Sequence, residues 1–134
     1  MLLLHQIPRY SLNLVLVHLV LLASAMGQWS TPANLSATGQ YAYAPQVAAD
    51  TSGNVTAVWT RSDGSNNIVQ TSRYSSGSWS TPANLSASGQ SAYAPQVAVD
   101  GSGNVTAVWT RYDGSNNIVQ TSRYSSGSWS TPAN

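Results

Sequence analysis

The groups that could do chemistry in this chain are few. Its 134 residues include four Asp and five Arg but no Glu, Lys or Cys, and the two His are His5 and His18, near the amino terminus. A serine nucleophile needs a histidine base, and both histidines lie within the first 25 residues, which are predicted below to be a cleaved signal peptide. Glycoside hydrolysis needs two carboxyl groups about 5 to 10 Å apart. Asp100 and Asp113 flank a predicted strand of about seven residues, which separates them by about 20 Å. We therefore expect no catalytic residues and a protein that is not an enzyme.

Two loops offer oxygen atoms at alternate positions. Residues 50–54 and 100–104 each follow the pattern Asp-x-Ser-x-Asn. A calcium site normally gathers several carboxylates, and each loop supplies only one. Asp and Asn side chains also stabilise turns by bonding to nearby backbone N–H groups. The pattern thus favours hairpin turns, and we expect neither a metal ion nor a cofactor.

Aromatic and arginine side chains are the strongest candidates for ligand binding. An indole can stack on a sugar ring, and a guanidinium group can donate hydrogen bonds to hydroxyl groups. The candidate ligand-binding residues are Trp59, Arg61, Tyr93, Trp109 and Arg111, chosen from a wider repeated set that also contains Tyr43, Arg73, Trp79, Arg123 and Trp129. The alternative is that the tryptophans fill the seams between packed sheets while the arginines cap sheet ends. The energy of burying an indole favours this structural alternative.

These residues recur because the chain is a repeat. Residues 28–77 align with residues 78–127 without a gap and differ at six positions, and residues 128–134 begin the unit again. A period near fifty residues is typical of propellers and solenoids. Each candidate residue therefore has to be placed within a repeated structural unit.

Each unit contains four strand signals separated by turns rich in Gly, Asn and Asp. In the second unit the strands are predicted over residues 95–100, 105–111, 117–124 and 128–134. The fourth strand contains a proline in both units, which favours the edge of a sheet. We predict an all-β fold with two four-stranded antiparallel β-propeller-type blades, forming a partial propeller. Residues 28–35 repeat the fourth-strand sequence and predict an extra N-terminal outer strand.

Three segments of the unit resemble known propeller repeats. Residues 94–100, residues 103–109 and the Gly-Ser-Trp at 127–129 are similar to sialidase-like (BNR or Asp-box) repeats of exported bacterial proteins. The Gly-x-Trp falls in the hairpin where an Asp-box normally lies, although the Asp of that box is absent. The family's catalytic tyrosine is activated by a Glu, which this chain lacks. Blade size and Gly-x-Trp also resemble small fucose-binding lectins, which implies a glycan ligand, although the Glu that those lectins use is missing too.

The first 25 residues have the layout of a secretory signal peptide. An apolar run over residues 12–23 leads into Ala-Ser-Ala at residues 23–25, which is typical of a cleavage site after Ala25. The run is shorter than the ~20 residues that cross a bilayer. We predict cleavage after Ala25, no membrane contact afterwards, and a repeat domain over residues 26–134. The mature chain would be secreted, periplasmic or held at the cell surface.

Charge and repeat number bear on the partners. A net charge of +1 provides no clustered positive charge, so we expect no nucleic-acid partner. We predict an exported, non-catalytic binding or scaffolding module with a glycan or protein ligand. The alternatives are an oligomeric carbohydrate-binding lectin and a truncated fragment of a larger sialidase-like propeller. Because a propeller closes with about four to eight blades, we expect two-blade chains to self-associate into a ring.

Overall fold

The computed structural model describes residues 30–134, and all regular secondary structure in this range is β. The predicted all-β class is therefore confirmed. Sheet one contains β1 (Ala42–Ala49), β2 (Val55–Ser62) and β3 (Asn67–Ser75), with the short strands β4 (Ser78–Trp79) and β5 (Ala83–Asn84) both paired with β3. Sheet two contains β6 (Ala92–Val99), β7 (Val105–Tyr112), β8 (Asn117–Ser125) and β9 (Ser128–Trp129). Both sheets are antiparallel meanders whose strands neighbour one another in chain order, as predicted.

The first strand of each unit begins earlier than predicted. β6 starts at Ala92 rather than Pro95, and its register with β7 shifts between Tyr93 and Gln96. Ala94 has a φ of 52° at this β-bulge, and the same conformation recurs at the equivalent residue of β1. A bulge leaves a residue out of the ladder. The proline is therefore accommodated inside the strand instead of starting it.

The fourth strand is interrupted in both units. In sheet one Pro82 lies between β4 and β5. In sheet two, β9 is followed by an isolated bridge between Thr121 and Ala133. Proline has no N–H to donate to a ladder, so it occurs at a sheet edge and breaks the pairing there. The edge position agrees with the prediction, and the continuous strand over residues 128–134 was wrong.

The predicted extra N-terminal strand is not formed over the part that the structure describes. Residues 30–41 contain no strand, and residues 28 and 29 lie outside the described range. The two later copies of this sequence pair with the third strand of their own unit, β3 or β8. The first copy precedes β1, so it does not follow the third strand of either described sheet. The predicted signal peptide, residues 1–25, also lies outside the described residues.

The two sheets pack against each other and share one core. One face of sheet one, carrying Val58 and Val69, meets the face of sheet two that carries Ala107 and Trp109, and Leu85 from the connecting segment completes the cluster. β6 lies across β1, β2 and β3. Among residues 30–134 there is no helix that is long and apolar enough to span a membrane.

Candidate functional site

An open groove runs along the seam between the sheets, near their fourth strands. It has a volume of ≈ 240 Å³, and we call it the seam groove. β3 and the segment from β4 to β5 form one wall, while β8 and the β8–β9 hairpin form the other. Its lining residues are Thr71, Arg73, Ser75, Ser80, Ala83, Tyr124, Gly127 and Trp129. The groove therefore exists only because the two units are stacked.

A row of three side chains crosses the seam groove. The guanidinium carbon of Arg73, from sheet one, lies 4.1 Å from the ring centroid of Tyr124, from sheet two. The Tyr124 ring meets Trp129 edge-on, with 5.6 Å between centroids and 61° between ring planes. Arg73 Nη1 also donates a 2.7 Å hydrogen bond to Thr56 Oγ1. These contacts hold a cation and two aromatic rings in a fixed arrangement.

A second cavity, of ≈ 260 Å³, lies at the hairpin-turn end of the same seam. Residues 50–52, 54 and 101–103 line it together with Arg73, which borders both cavities. Asp50 Oδ1 accepts hydrogen bonds from the backbone N–H groups of Ser52 and Asn54, both at 2.9 Å, and its Oδ2 accepts one from Asn54 Nδ2 at 2.8 Å. The hydrogen bond from the Asn54 side chain is the main cause that lowers the pKa of Asp50. This carboxylate therefore stabilises its own turn, as the loop pattern predicted.

The equivalent arginines of the two units have different partners. Arg123 Nη2 forms a 2.9 Å salt bridge with Asp100 Oδ2. Arg73 instead lies over Tyr124, on the sheet that covers it. The Asn104 side chain and, to a smaller extent, the charge of Arg123 lower the pKa of Asp100. The covering sheet thus determines which arginine is available to a ligand at the seam.

The structure places the five predicted binding residues on three different faces. Trp109 is 1% exposed in the core between the sheets, with Arg111 on the same face donating to the carbonyl oxygen of Ala87 at 3.2 Å. Trp59, 4% exposed, and Arg61 lie on the corresponding face of sheet one. Tyr93 pairs with Thr110, which places it on the opposite face of sheet two. Its hydroxyl donates to Asn117 Oδ1 at 2.7 Å.

The structure also brings together residues that the predicted set omitted. Arg73, Tyr124 and Trp129 line the seam groove, and none of them is among the five chosen candidates. Arg73 and Trp129 belong to the wider repeated set considered for binding, whereas Tyr124 does not. Each has a repeat partner of the same type, in Arg123, Tyr74 and Trp79. The sequence signal is therefore identical at both positions, and only the stacking of the sheets separates them.

Comparison of the chain with protein-family models and with curated proteins found no match. Function is therefore inferred from the geometry of the seam and from the repeat.

Proposed function

We propose that this protein is an exported, non-catalytic binding or scaffolding module built of propeller-type blades. Support comes from two equivalent antiparallel meanders that stack so that β6 lies across the first three strands of sheet one. Blades of a propeller are four-stranded sheets packed in this serial manner. The export part rests on the signal-peptide layout of residues 1–25. Mass spectrometry of secreted chain should find an N-terminus at Met26, whereas full-length chain retained in membranes would contradict export.

The seam groove is the observation that carries the binding function. It combines one cation, two aromatic rings and the hydroxyl groups of Ser75 and Ser80. Sugars present both an apolar ring face and many hydroxyl groups, so they match this combination of stacking surfaces and hydrogen-bonding groups. This lining favours a carbohydrate-binding lectin as the second, more specific candidate.

The repeat provides a matched pair of variants to test the groove. Tyr124→Ala removes the ring under Arg73, whereas Tyr74→Ala removes its repeat equivalent, which packs on Trp79 with the same 5.6 Å centroid separation. A glycan array would identify the bound sugar, and calorimetry would measure its affinity. We expect Tyr124→Ala to weaken binding about 10-fold or more, since aromatic and cation–π contacts each contribute about 0.5 to 2 kcal/mol. Tyr74→Ala should have little effect when binding is measured at concentrations dilute enough to keep the chain monomeric.

Two outcomes would count against the groove as a sugar site. One is a glycan array without any binding, which would leave a protein ligand or a purely scaffolding role for the module. The other is an equal loss of affinity in both tyrosine variants. Circular dichroism of each variant would verify that the sheets remain folded.

A further inference from the structure

The equivalent face of sheet one is buried, but one face of sheet two is uncovered. We call it the open face, and it consists of Thr106, Val108, Thr110, Val119 and Thr121, which share one side of β7 and β8. The identical residues on sheet one are Thr56, Val58, Thr60, Val69 and Thr71, all of them buried. Val69 is 0% exposed and Val119 is 67% exposed. One amino-acid surface therefore occurs twice, once covered and once uncovered.

The covered copy shows what this surface binds. β6 lies across β1, β2 and β3, and its Ala92 packs with Ala107 and Trp109 in the shared core. β1 has the sequence of β6 at every position except its last, where Ala49 replaces Val99. Nearly all of β1 is exposed, with Val47 at 67%. The chain thus carries a second copy of the covering strand, and nearly all of this copy is exposed.

We propose that the open face binds β1 of a second copy of this chain, in the way that sheet one binds β6. The contact is heterologous, because two different surfaces meet, so a pair of associated chains together still presents one free β1 and one free open face. Ala57 and Trp59, the counterparts of Ala107 and Trp109, are buried within the single chain. The contact is therefore centred on β1, with Ala42 and Val47 as its exposed apolar residues.

The backbone groups at the edge of β8 also favour β1 of a second copy as the binding partner. In sheet one, Val69 N–H donates to Ser86 Oγ at 2.9 Å, and the Val69 carbonyl accepts from Leu85 N–H at 2.8 Å. No residue within 30–134 bonds to the corresponding edge groups of Val119. Residues 35 and 36 are again Leu-Ser, ahead of β1 as Leu85 and Ser86 are ahead of β6. A second copy would bring this pair to β8 together with its β1.

The neighbouring edge position does not obstruct this contact. The fourth-strand sequence of the second unit occupies it in the same chain, through β9 and the bridge between Thr121 and Ala133. In the second copy, residues 30–35 repeat that fourth-strand sequence, and they are not part of a strand. Arg123 can then leave Asp100 and lie over Tyr74 of the second copy, as Arg73 lies over Tyr124.

Two variants that each introduce a positive charge test the proposal. Both are made as protein that is purified after secretion from the expression host. Val119→Arg alters the open face, Val47→Arg alters β1, and both positions are exposed in the single chain. Ser115→Arg, in the exposed β7–β8 turn, adds the same charge elsewhere. Light scattering and sedimentation should show association for the wild type and for Ser115→Arg. Each valine variant should associate at least about 100-fold more weakly, because association would bury a charge that has no partner.

Mixing the two valine variants gives the sharper result. The open face of Val47→Arg and the β1 of Val119→Arg are both intact, so an equal mixture should form heterodimers and nothing larger. Any of these results would overturn the proposal: a wild type that stays monomeric at all soluble concentrations, self-association of Val47→Arg at wild-type strength, or a mixture that stays monomeric. Loss of association in Ser115→Arg would also overturn it, since charge alone would then explain the effect.

Discussion

Arg73 and Arg123 have the same neighbours in sequence, yet their guanidinium groups make different contacts. Arg123 is paired with Asp100 on an exposed surface, where solvent screens the salt bridge. Arg73 has the Tyr124 ring of the second sheet within reach, and a cation–π contact contributes about 0.5 to 2 kcal/mol. The contact with a ring is made in the unit to which the neighbouring sheet supplies that ring. At the scale of one residue, the covering sheet determines the partner and thereby the composition of the seam groove.

The aspartates predict how stability depends on pH. The pKa values of all four are lowered, mainly by the Asn54 and Asn104 side chains at Asp50 and Asp100, and by the backbone N–H groups of Asn66 and Asn116 at the other two, Asp63 and Asp113. A lowered pKa contributes stability that is complete above the unfolded value of about 3.9 and is lost as the pH falls through the folded value. Residues 26–134 contain no His, Glu, Lys or Cys. Unfolding free energy should therefore be flat from about pH 5 to 9 and decrease below about pH 4.

Urea unfolding followed by tryptophan fluorescence across this pH range would measure the profile. Asp113→Asn removes one titrating group whose carboxylate accepts hydrogen bonds from Ser115 and Asn116 N–H at 2.8 and 2.7 Å. The variant should be less stable at pH 7 and show a shallower decrease in acid. If the unfolding free energy begins to decrease above pH 5, the aspartates of these turns are not the cause of the loss of stability in acid.

Among the elements, the hairpins between the third and fourth strands carry a small conformational cost. Ser76 and Gly77 have φ values of 51° and 85°, and Ser126 and Gly127 have values of 50° and 88°. Two successive positive φ values are typical of a type I′ turn, which matches the twist of the strands it joins. Glycine adopts this conformation easily, whereas serine does so at a cost. The first position of each hairpin is therefore not optimal.

Asparagine at that first position should stabilise the hairpin. Asn-Gly is the preferred type I′ sequence because Asn tolerates positive φ better than Ser. We expect Ser126→Asn to raise the unfolding free energy by about 0.5 kcal/mol, within the range of such turn optimisations. Ser125→Asn, one residue earlier and paired in β8, should give no gain. Urea unfolding of both variants measures the difference, and an equal gain in both would exclude turn geometry as the cause.

The sequence predicts the elements better than their irregularities. Alternating apolar residues and Gly-, Asn- and Asp-rich turns were enough to predict the strands of each meander and their order. The bulge at Ala94 and the break at Pro82 depend on how a proline is accommodated, which the sequence pattern does not specify. The seam groove could not be predicted, because Arg73 and Arg123 are indistinguishable until one unit is stacked on the other.

For the whole molecule, stability depends on one core shared by two sheets that are chemically almost the same. Val58, Val69 and Leu85 on one side meet Ala107 and Trp109 on the other. Each sheet alone would expose an apolar face, and removing such a face from water is the main favourable term in folding. The sheets should therefore unfold together, in a single cooperative transition.

A matched pair of truncations tests this shared core. Val69→Ala removes two methyl groups that are 0% exposed between the sheets, whereas Val119→Ala makes the same change where the side chain is 67% exposed. We expect Val69→Ala to lower the unfolding free energy by about 1 to 3 kcal/mol, and Val119→Ala by less than about 0.5 kcal/mol. Urea unfolding at concentrations dilute enough to keep the chain monomeric measures both, because association would cover Val119 as well. Equal losses in the two variants would mean that the sheets do not stack through the Val69 face.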